Sequence, residues 1–323
     1  MYSTEVTEAV SRIKDLREYL KQHVFVGKDE IIDLLFISLV AREPLLLVGP
    51  PGTAKSDLIV ALCQGLGLRS YDEQNAEEVH SRDYFEYLLT QYTEPNEIFG
   101  PVDIKGLQEL GDFRRKGVGM LQNVYLAFLD EVFKANSAIL NALLTIMNER
   151  RYYEAGRYTP IKLITLFGAT NRVPSSSDLD ALYDRFTLRV ESLNVRPNDQ
   201  PALLDRAWEL EVKKSRGDHY LEAKTGLDDI RTLNTALINQ YEGSLTDSLP
   251  FMDIFLRKIR AIRDDQLCRI NDRKMIKIVK LMLAHALLEG RPAAHEDMFL
   301  LDYIWDDPEN LNQRERLHEI AYR

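Results

Sequence analysis

Apolar positions at Val6, Val10, Ile13, Leu16 and Leu20 recur every three to four residues and predict an amphipathic helix. A second helix is predicted from about Asp29 to Val40. Pro44 then opens a compact apolar run, Leu45-Leu46-Leu47-Val48, closed by Gly49. A short run without polar alternation reads as a strand buried on both faces, as in a parallel sheet. Helix follows from about Ala54 to Leu66. Similar apolar runs recur at Tyr84–Thr90, Tyr125–Leu129, Leu163–Ala169 and Phe186–Val190, with helical patterns between them, clearest over Ala138–Asn148. This alternation predicts an α/β fold, a doubly wound parallel sheet with helices on both sides. Arg69–Asp83 is polar and acidic and reads as a surface loop. The glycine-rich stretch Gly100–Gly119 predicts a hairpin flanked by Val102-Asp103-Ile104 and Phe113-Arg114-Arg115.

Beyond about Val195 the strand signals stop. Pro197–Glu211 reads as helix, and Met252, Phe255, Leu256, Ile259 and Ile262 mark another. Ile276, Val279, Leu283 and Leu287 form a further stripe, ended by Gly290 and Pro292. The expected organisation is an α/β domain over 1–195, a helical linker over 196–245 and a small helical domain over 246–323.

Composition narrows the function classes. Hydrophobic residues at 45% and charged residues at 28% of 323 suit a globular chain with a sizeable core. A net charge of −10 opposes a dedicated duplex-DNA binder, which needs clustered Lys and Arg to neutralise phosphates. Cys63 and Cys268, far apart and without CxxC spacing, read as two reduced thiols. The first residues lack the basic-then-apolar layout of a signal peptide, and no apolar run approaches the roughly 20 residues that span a bilayer. A soluble, cytoplasmic protein is the expectation. The six His residues show no metal-ligand spacing, and His285 and His295 read as incidental.

Three motifs carry chemistry. Gly49-Pro50-Pro51-Gly52-Thr53-Ala54-Lys55-Ser56, followed by Asp57, lies between a buried strand and a helix, where a phosphate loop belongs. Backbone N–H groups at such a helix start favour negative charge. Lys55 would reach the β- and γ-phosphates, and the Ser56 hydroxyl would ligate Mg²⁺. Ala54 takes the place of the second glycine of the motif; its methyl group is tolerable if the residue adopts right-handed helical dihedrals. The second motif, Leu126-Ala127-Phe128-Leu129-Asp130-Glu131, is a strand ending in two acids. There Asp130 would hold the Mg²⁺ hydration shell and Glu131 would orient and deprotonate an attacking water. In the third, Leu166-Phe167-Gly168-Ala169-Thr170-Asn171, Asn171 would hydrogen-bond the lytic water or γ-phosphate from an adjacent strand end.

These motifs, in this order and followed by Ala181-Leu182-Tyr183-Asp184-Arg185-Phe186, resemble those of an AAA+ ATPase. Within that superfamily the chain is similar to the MoxR group, particularly its RavA-like branch. Glu97-Ile98-Phe99-Gly100-Pro101, Leu140-Asn141-Ala142-Leu143-Leu144, Asn148-Glu149-Arg150 and Asn271-Asp272-Arg273 complete the resemblance. Alanine before the lysine also occurs in RavA-like proteins and in minichromosome-maintenance helicases.

The resemblance implies a five-stranded nucleotide domain followed by a helical lid. It implies ATP and Mg²⁺ bound between subunits of a homo-oligomeric, hexameric ring. Asn171 takes the sensor-1 role. Arg185 resembles an arginine finger inserted into a neighbour's site, with an ion pair to Asp184 or Asp180 as the other reading. Arg273 resembles the sensor-2 arginine, and Val26-Gly27 the adenine-side segment. The Gly100–Gly119 hairpin falls where the clade inserts one into its second helix, and Arg114-Arg115-Lys116 either line a pore or are solvated loop charge. A second hairpin is implied over Arg151–Thr159. The implied role is chaperone-like remodelling of a protein client, with a von Willebrand factor A-domain partner. Two readings stand beside it: a nucleic-acid motor of the same clade, opposed by the acidic charge and the lack of a basic or aromatic stripe, and an ATP-gated scaffold with negligible turnover, opposed by the Asp130-Glu131 pair.

Overall fold

Short polar side chains start several of the helices: Ser3 accepts from the Val6 N–H, Asn136 from Ala138 and Ile139, and Asn271 from Lys274. The computed structural model describes residues 2–68, 83–111, 114–154, 156–174, 176–216, 221–240 and 245–322. The elements run α1 Thr4–Tyr19, a π turn Leu20–Val24, α2 Asp29–Ala41, β1 Leu45–Val48, α3 Lys55–Gly65 and β2 Tyr84–Leu88. Next come α4 Pro95–Phe99, α5 Ile104–Leu110, β3 Leu126–Asp130, α6 Ser137–Glu149, β4 Arg151–Glu154, β5 Arg157–Pro160 and β6 Thr165–Thr170. The chain continues with α7 Ser177–Tyr183, β7 Leu188–Glu191, α8 Gln200–Ser215, α9 Leu227–Asn239 and α10 Leu245–Ser248. It closes with α11 Met252–Asp264, α12 Asp272–Leu288, a 3₁₀ segment His295–Tyr303 and α13 Leu311–Tyr322.

Five strands form a parallel sheet in the order β2-β3-β6-β1-β7, and β4-β5 form a separate antiparallel hairpin. All four residues of β1 and all six of β6 are buried, which explains their unbroken apolar runs. Two compact units divide the chain: Leu46–Gln64 with Leu68–Phe186, and Met1–Leu45 with Gly65–Gly67 and Thr187–Arg323.

In the first of these, α6 turns Ile139, Leu143, Ile146 and Met147 inward at helical spacing. Gly168 is needed because a Cβ there would lie 2.7 Å from the Phe186 ring, which packs against bare β6 backbone. The predicted second hairpin is present as β4-β5. Tyr152 stacks on Phe99 with centroids 5.0 Å apart, and Glu154 accepts from the Arg115 N–H at 2.7 Å.

The other unit is helical apart from β7. Arg12 of α1 pairs with Asp229 of α9 at 2.6 Å, and Glu43 takes Lys277 and Lys280 at 3.0 and 2.9 Å. Asp297 is fully buried and accepts from Arg291, from the Ala294 N–H at 2.7 Å, and lies 2.6 Å from His285 Nδ1.

Several expectations change. The Gly100–Gly119 hairpin is instead a single antiparallel bridge, Val102 to Arg115, with α5 between its arms, so Ile104 begins a helix rather than extending a strand. Phe113 lies outside the described residues, as does Arg69–Asp83 apart from Asp83. Arg115 is committed to structure, donating to the Gly100 carbonyl at 2.7 Å and to Asn96. Ile276 is 67% exposed and leaves the apolar stripe of α12, whose buried face runs through Ile278, Val279, Leu281 and Met282. His285 is not incidental, since it is a partner of Asp297. Cys63 and Cys268 are free and buried; burial raises both thiols, Cys268 to about 11, which leaves them unreactive at neutral pH. Among the described residues no helix is long and apolar enough to cross a membrane.

Asp297 generates a prediction. Burial acts to raise its carboxyl, but hydrogen bonds from His285, Arg291 and the Ala294 N–H outweigh this and hold it below the usual aspartate value. A depressed folded pKa gives stability that is present above the unfolded value and lost as pH falls through the folded one. Asp297→Asn should therefore cost about 3–5 kcal/mol at neutral pH in urea unfolding, and the gap should narrow below about pH 4. A cost that is small at neutral pH, or unchanged in acid, would contradict the assignment.

Candidate functional site

β1 leads directly into Gly49–Ala54, and α3 begins at Lys55. Lys55 Nζ donates to the Gly49 and Pro50 carbonyls, both at 2.8 Å, and Thr53 Oγ1 donates to Pro50 at 2.9 Å. The loop thus closes around its own lysine. Gly52 sits at φ +79 with nothing within 4 Å of where a Cβ would be, so the outer face of the loop stays open. Ala54 overturns its expectation: it lies at φ 64, in the left-handed region, where the motif's glycine would be at ease.

Asp130 ends β3, and its Oδ1 accepts from the Glu131 N–H at 2.9 Å. Glu131 also takes left-handed dihedrals, φ 52 and ψ 43, before the 3₁₀ turn Val132–Lys134. That reversal carries its side chain off the strand axis. Its Oε1 accepts from Asn171 Nδ2, just past the end of β6. The pairing of β3 with β6 places these strand ends side by side.

A cavity of about 400 Å³ is lined by Pro51 through Asp57, Leu88, Asp130, Glu131 and Asn171. It gathers the three sequence motifs; Gly49 and Pro50 contribute through their carbonyls to Lys55. Burial lowers the Lys55 ammonium from its ordinary value, and the nearby Asp130 and Glu131 offset this only in part. A lysine at the start of α3, beside a glycine-containing loop that leads from β1, suits an anionic phosphate chain. Ser56 and Asp130 bring to this cavity oxygen atoms of the hard kind that Mg²⁺ prefers.

The remaining predicted residues are not among those that line this cavity. Arg185 follows α7, is 3.7 Å from Asp184, and does not line the cavity. Val26, Gly27 and Arg273 belong to the other unit. There Gly27 makes a turn at φ +65 before α2, and Arg273 is exposed in the first turn of α12.

A family model described as the MoxR domain in the MoxR-vWA-beta-propeller ternary systems matches residues 11–235, and an AAA lid domain matches 252–318. The chain belongs to the MoxR group of AAA+ ATPases. Two uncharacterized proteins of Methanocaldococcus jannaschii are 35% and 34% identical to this MoxR chain over 301 and 308 residues. These alignments cover 92% and 95% of this chain and 72% and 73% of theirs. The structural protein ORF618 of Acidianus two-tailed virus is 27% identical over 253 residues, 76% of this chain and 38% of its own length. A crystal structure of a candidate ATPase from Cytophaga hutchinsonii superposes with a TM-score of 0.69 at 17% identity, covering 98% of this chain and 95% of that one. That likeness shows the shared fold.

Sequence reasoning missed two contributors. Leu88, read only as strand, is 58% exposed and forms part of the cavity wall. Lys134 stands 3.3 Å from Glu131 Oε1. A cation three residues after the strand-end acid was the available signal.

The left-handed Ala54 yields a stability prediction. Such dihedrals cost an L-residue about 1–2 kcal/mol, while glycine's extra chain freedom offsets about 0.5–1. Ala54→Gly should thus raise the unfolding free energy by up to about 1.5 kcal/mol. A less stable glycine variant in chemical denaturation would show that the methyl group contributes packing instead.

Proposed function

We propose that this MoxR protein binds ATP with Mg²⁺ and hydrolyses it to ADP and phosphate at a site completed by a second copy of the chain. The observation that carries this is the single cavity into which Lys55, Ser56, Asp130, Glu131 and Asn171 converge. Lys55 and the loop N–H groups hold the phosphates. Ser56 and Asp130 would hold Mg²⁺, which would supply charge neutralisation on the phosphate oxygens. Glu131 takes a proton from water as the water oxygen bonds to the γ-phosphorus and the bond to the bridging oxygen breaks, releasing ADP. Asn171 orients Glu131 and the water.

Arg185 acts on the γ-phosphoryl of the neighbouring copy, a role that the motif resemblance supports. In this reading the copies form a hexameric, cytoplasmic ring, and the motif resemblance assigns Arg273 to the phosphates and Val26-Gly27 to the adenine. Residues 246–323 serve as lid to an α/β domain over 1–195, with 196–245 linking them. The motif resemblance favours the RavA-like branch. The family description, which names MoxR-vWA-beta-propeller systems, supports a von Willebrand factor A-domain partner in remodelling a protein client.

The test is the steady-state ATPase rate per subunit as protein concentration rises. It should climb with assembly, and Arg185→Ala should lower it about 10³-fold or more. Mixing Arg185→Ala with Glu131→Gln should restore part of the rate, because mixed interfaces pair an intact Glu131 with an intact Arg185. A flat concentration profile with a fully active Arg185→Ala protein would overturn the shared site.

A further inference from the structure

The acidic end of β3 is followed by an unusually specific turn. Glu131 holds left-handed dihedrals, and the Lys134 N–H donates to the Glu131 carbonyl at 2.8 Å. That hydrogen bond fixes the two residues three positions apart on one side of the 3₁₀ turn. Lys134 Nζ then reaches back to 3.3 Å from Glu131 Oε1, the same oxygen that accepts from Asn171 Nδ2. Oε2 has no partner among the described residues. One hydrogen bond, from the adjacent strand end, and one ion-pair contact, from the turn, thus meet on one carboxylate oxygen and leave the other available.

We infer that Lys134 is a positioning residue for Glu131: with Asn171 it pins Oε1, so that Oε2 is the oxygen that receives the proton of the attacking water. Lys134 does not line the cavity, so it acts through Glu131 rather than on the phosphates. Its own side chain is 60% exposed while that of Glu131 is 10% exposed. A salt bridge with one exposed member contributes little to stability. Its effect lies in the direction the carboxylate points, and small misplacements of a reacting group are costly in rate. Asn171 alone leaves the carboxylate free to rotate about that single contact. The ion pair with Lys134 restricts this freedom, and it forms across the turn that the left-handed Glu131 opens.

This inference rests on the hydrolytic reading above. The experiment compares wild type, Lys134→Ala and Lys134→Arg in steady-state ATPase assays, alongside binding of a fluorescent ATP analogue. Lys134→Ala should lower kcat about tenfold or more, leaving KM and analogue affinity within about twofold. Lys134→Arg, which keeps a cation of similar reach, should restore most of the rate. Thermal melts of all three should coincide, which separates positioning from folding. An active wild type with an equally active Lys134→Ala overturns the role of Lys134 alone. Equal loss in the alanine and arginine variants overturns it as well. A wild type that binds the analogue without turning over ATP overturns the hydrolytic reading and this inference together.

Discussion

The site depends on one backbone constraint: strands β3 and β6 run parallel and in register, Leu126 opposite Thr165 through Leu129 opposite Gly168. Parallel neighbours end on the same side of a sheet, so the residues that follow them meet there. Asp130 and Glu131 leave one strand where Asn171 leaves the next. A further hydrogen bond, from the Gly49 N–H to the Thr170 carbonyl at 3.0 Å, ties the start of the phosphate loop to the same edge. A slip of one residue in the β3-β6 pairing would reverse every side chain and separate Asn171 from Glu131. The bare Cα of Gly168 helps exclude such a slip, because only glycine lets the Phe186 ring lie against β6 at that point.

Two backbone outliers fall at the candidate site. Of the five non-glycine residues with positive φ among those described, Ala54 lies beside Lys55 and Glu131 follows β3, while Arg42, Arg150 and Gln266 follow helices. Each costs of order 1–3 kcal/mol and persists because surrounding contacts over-determine it. At Ala54 the constraint is the loop folded onto its own lysine. At Glu131 it is the junction between a fully paired strand and a 3₁₀ turn held by Lys134. The second turn has a geometric use, since an extended Glu131 would continue the strand instead of crossing toward Asn171.

The strands and most helices were legible because burial on both faces leaves a signal in composition alone: Leu45–Val48 and Thr165–Thr170 contain almost nothing that water would retain. The phosphate loop and the strand-end acids were legible as spacing. What sequence did not disclose were features set by long-range contacts. The Gly100–Gly119 stretch looked like a hairpin because its turn residues are those of a hairpin, yet the bridge between Val102 and Arg115 carries a helix. Ala54 reads as an ordinary helix former, and its left-handed backbone follows from loop closure, not local propensity. The Asp297 network could not be foreseen because His285, Arg291 and Asp297 come together only when α12 packs on the 3₁₀ segment after it. Lys134 was visible as a charge, but its partner oxygen was not.

The account's central claim is that these converging strand ends form a hydrolytic site, and the most direct test is the identity of the nucleotide retained after incubation with Mg²⁺ and radiolabelled ATP. Wild type and Glu131→Gln should both bind the label. Extraction should yield ADP from wild type and unhydrolysed ATP from Glu131→Gln, because the amide keeps the shape of the site but accepts no proton. ADP recovered equally from both proteins would contradict the assignment of Glu131 and, with it, the reading of the strand-end constellation as the catalytic centre.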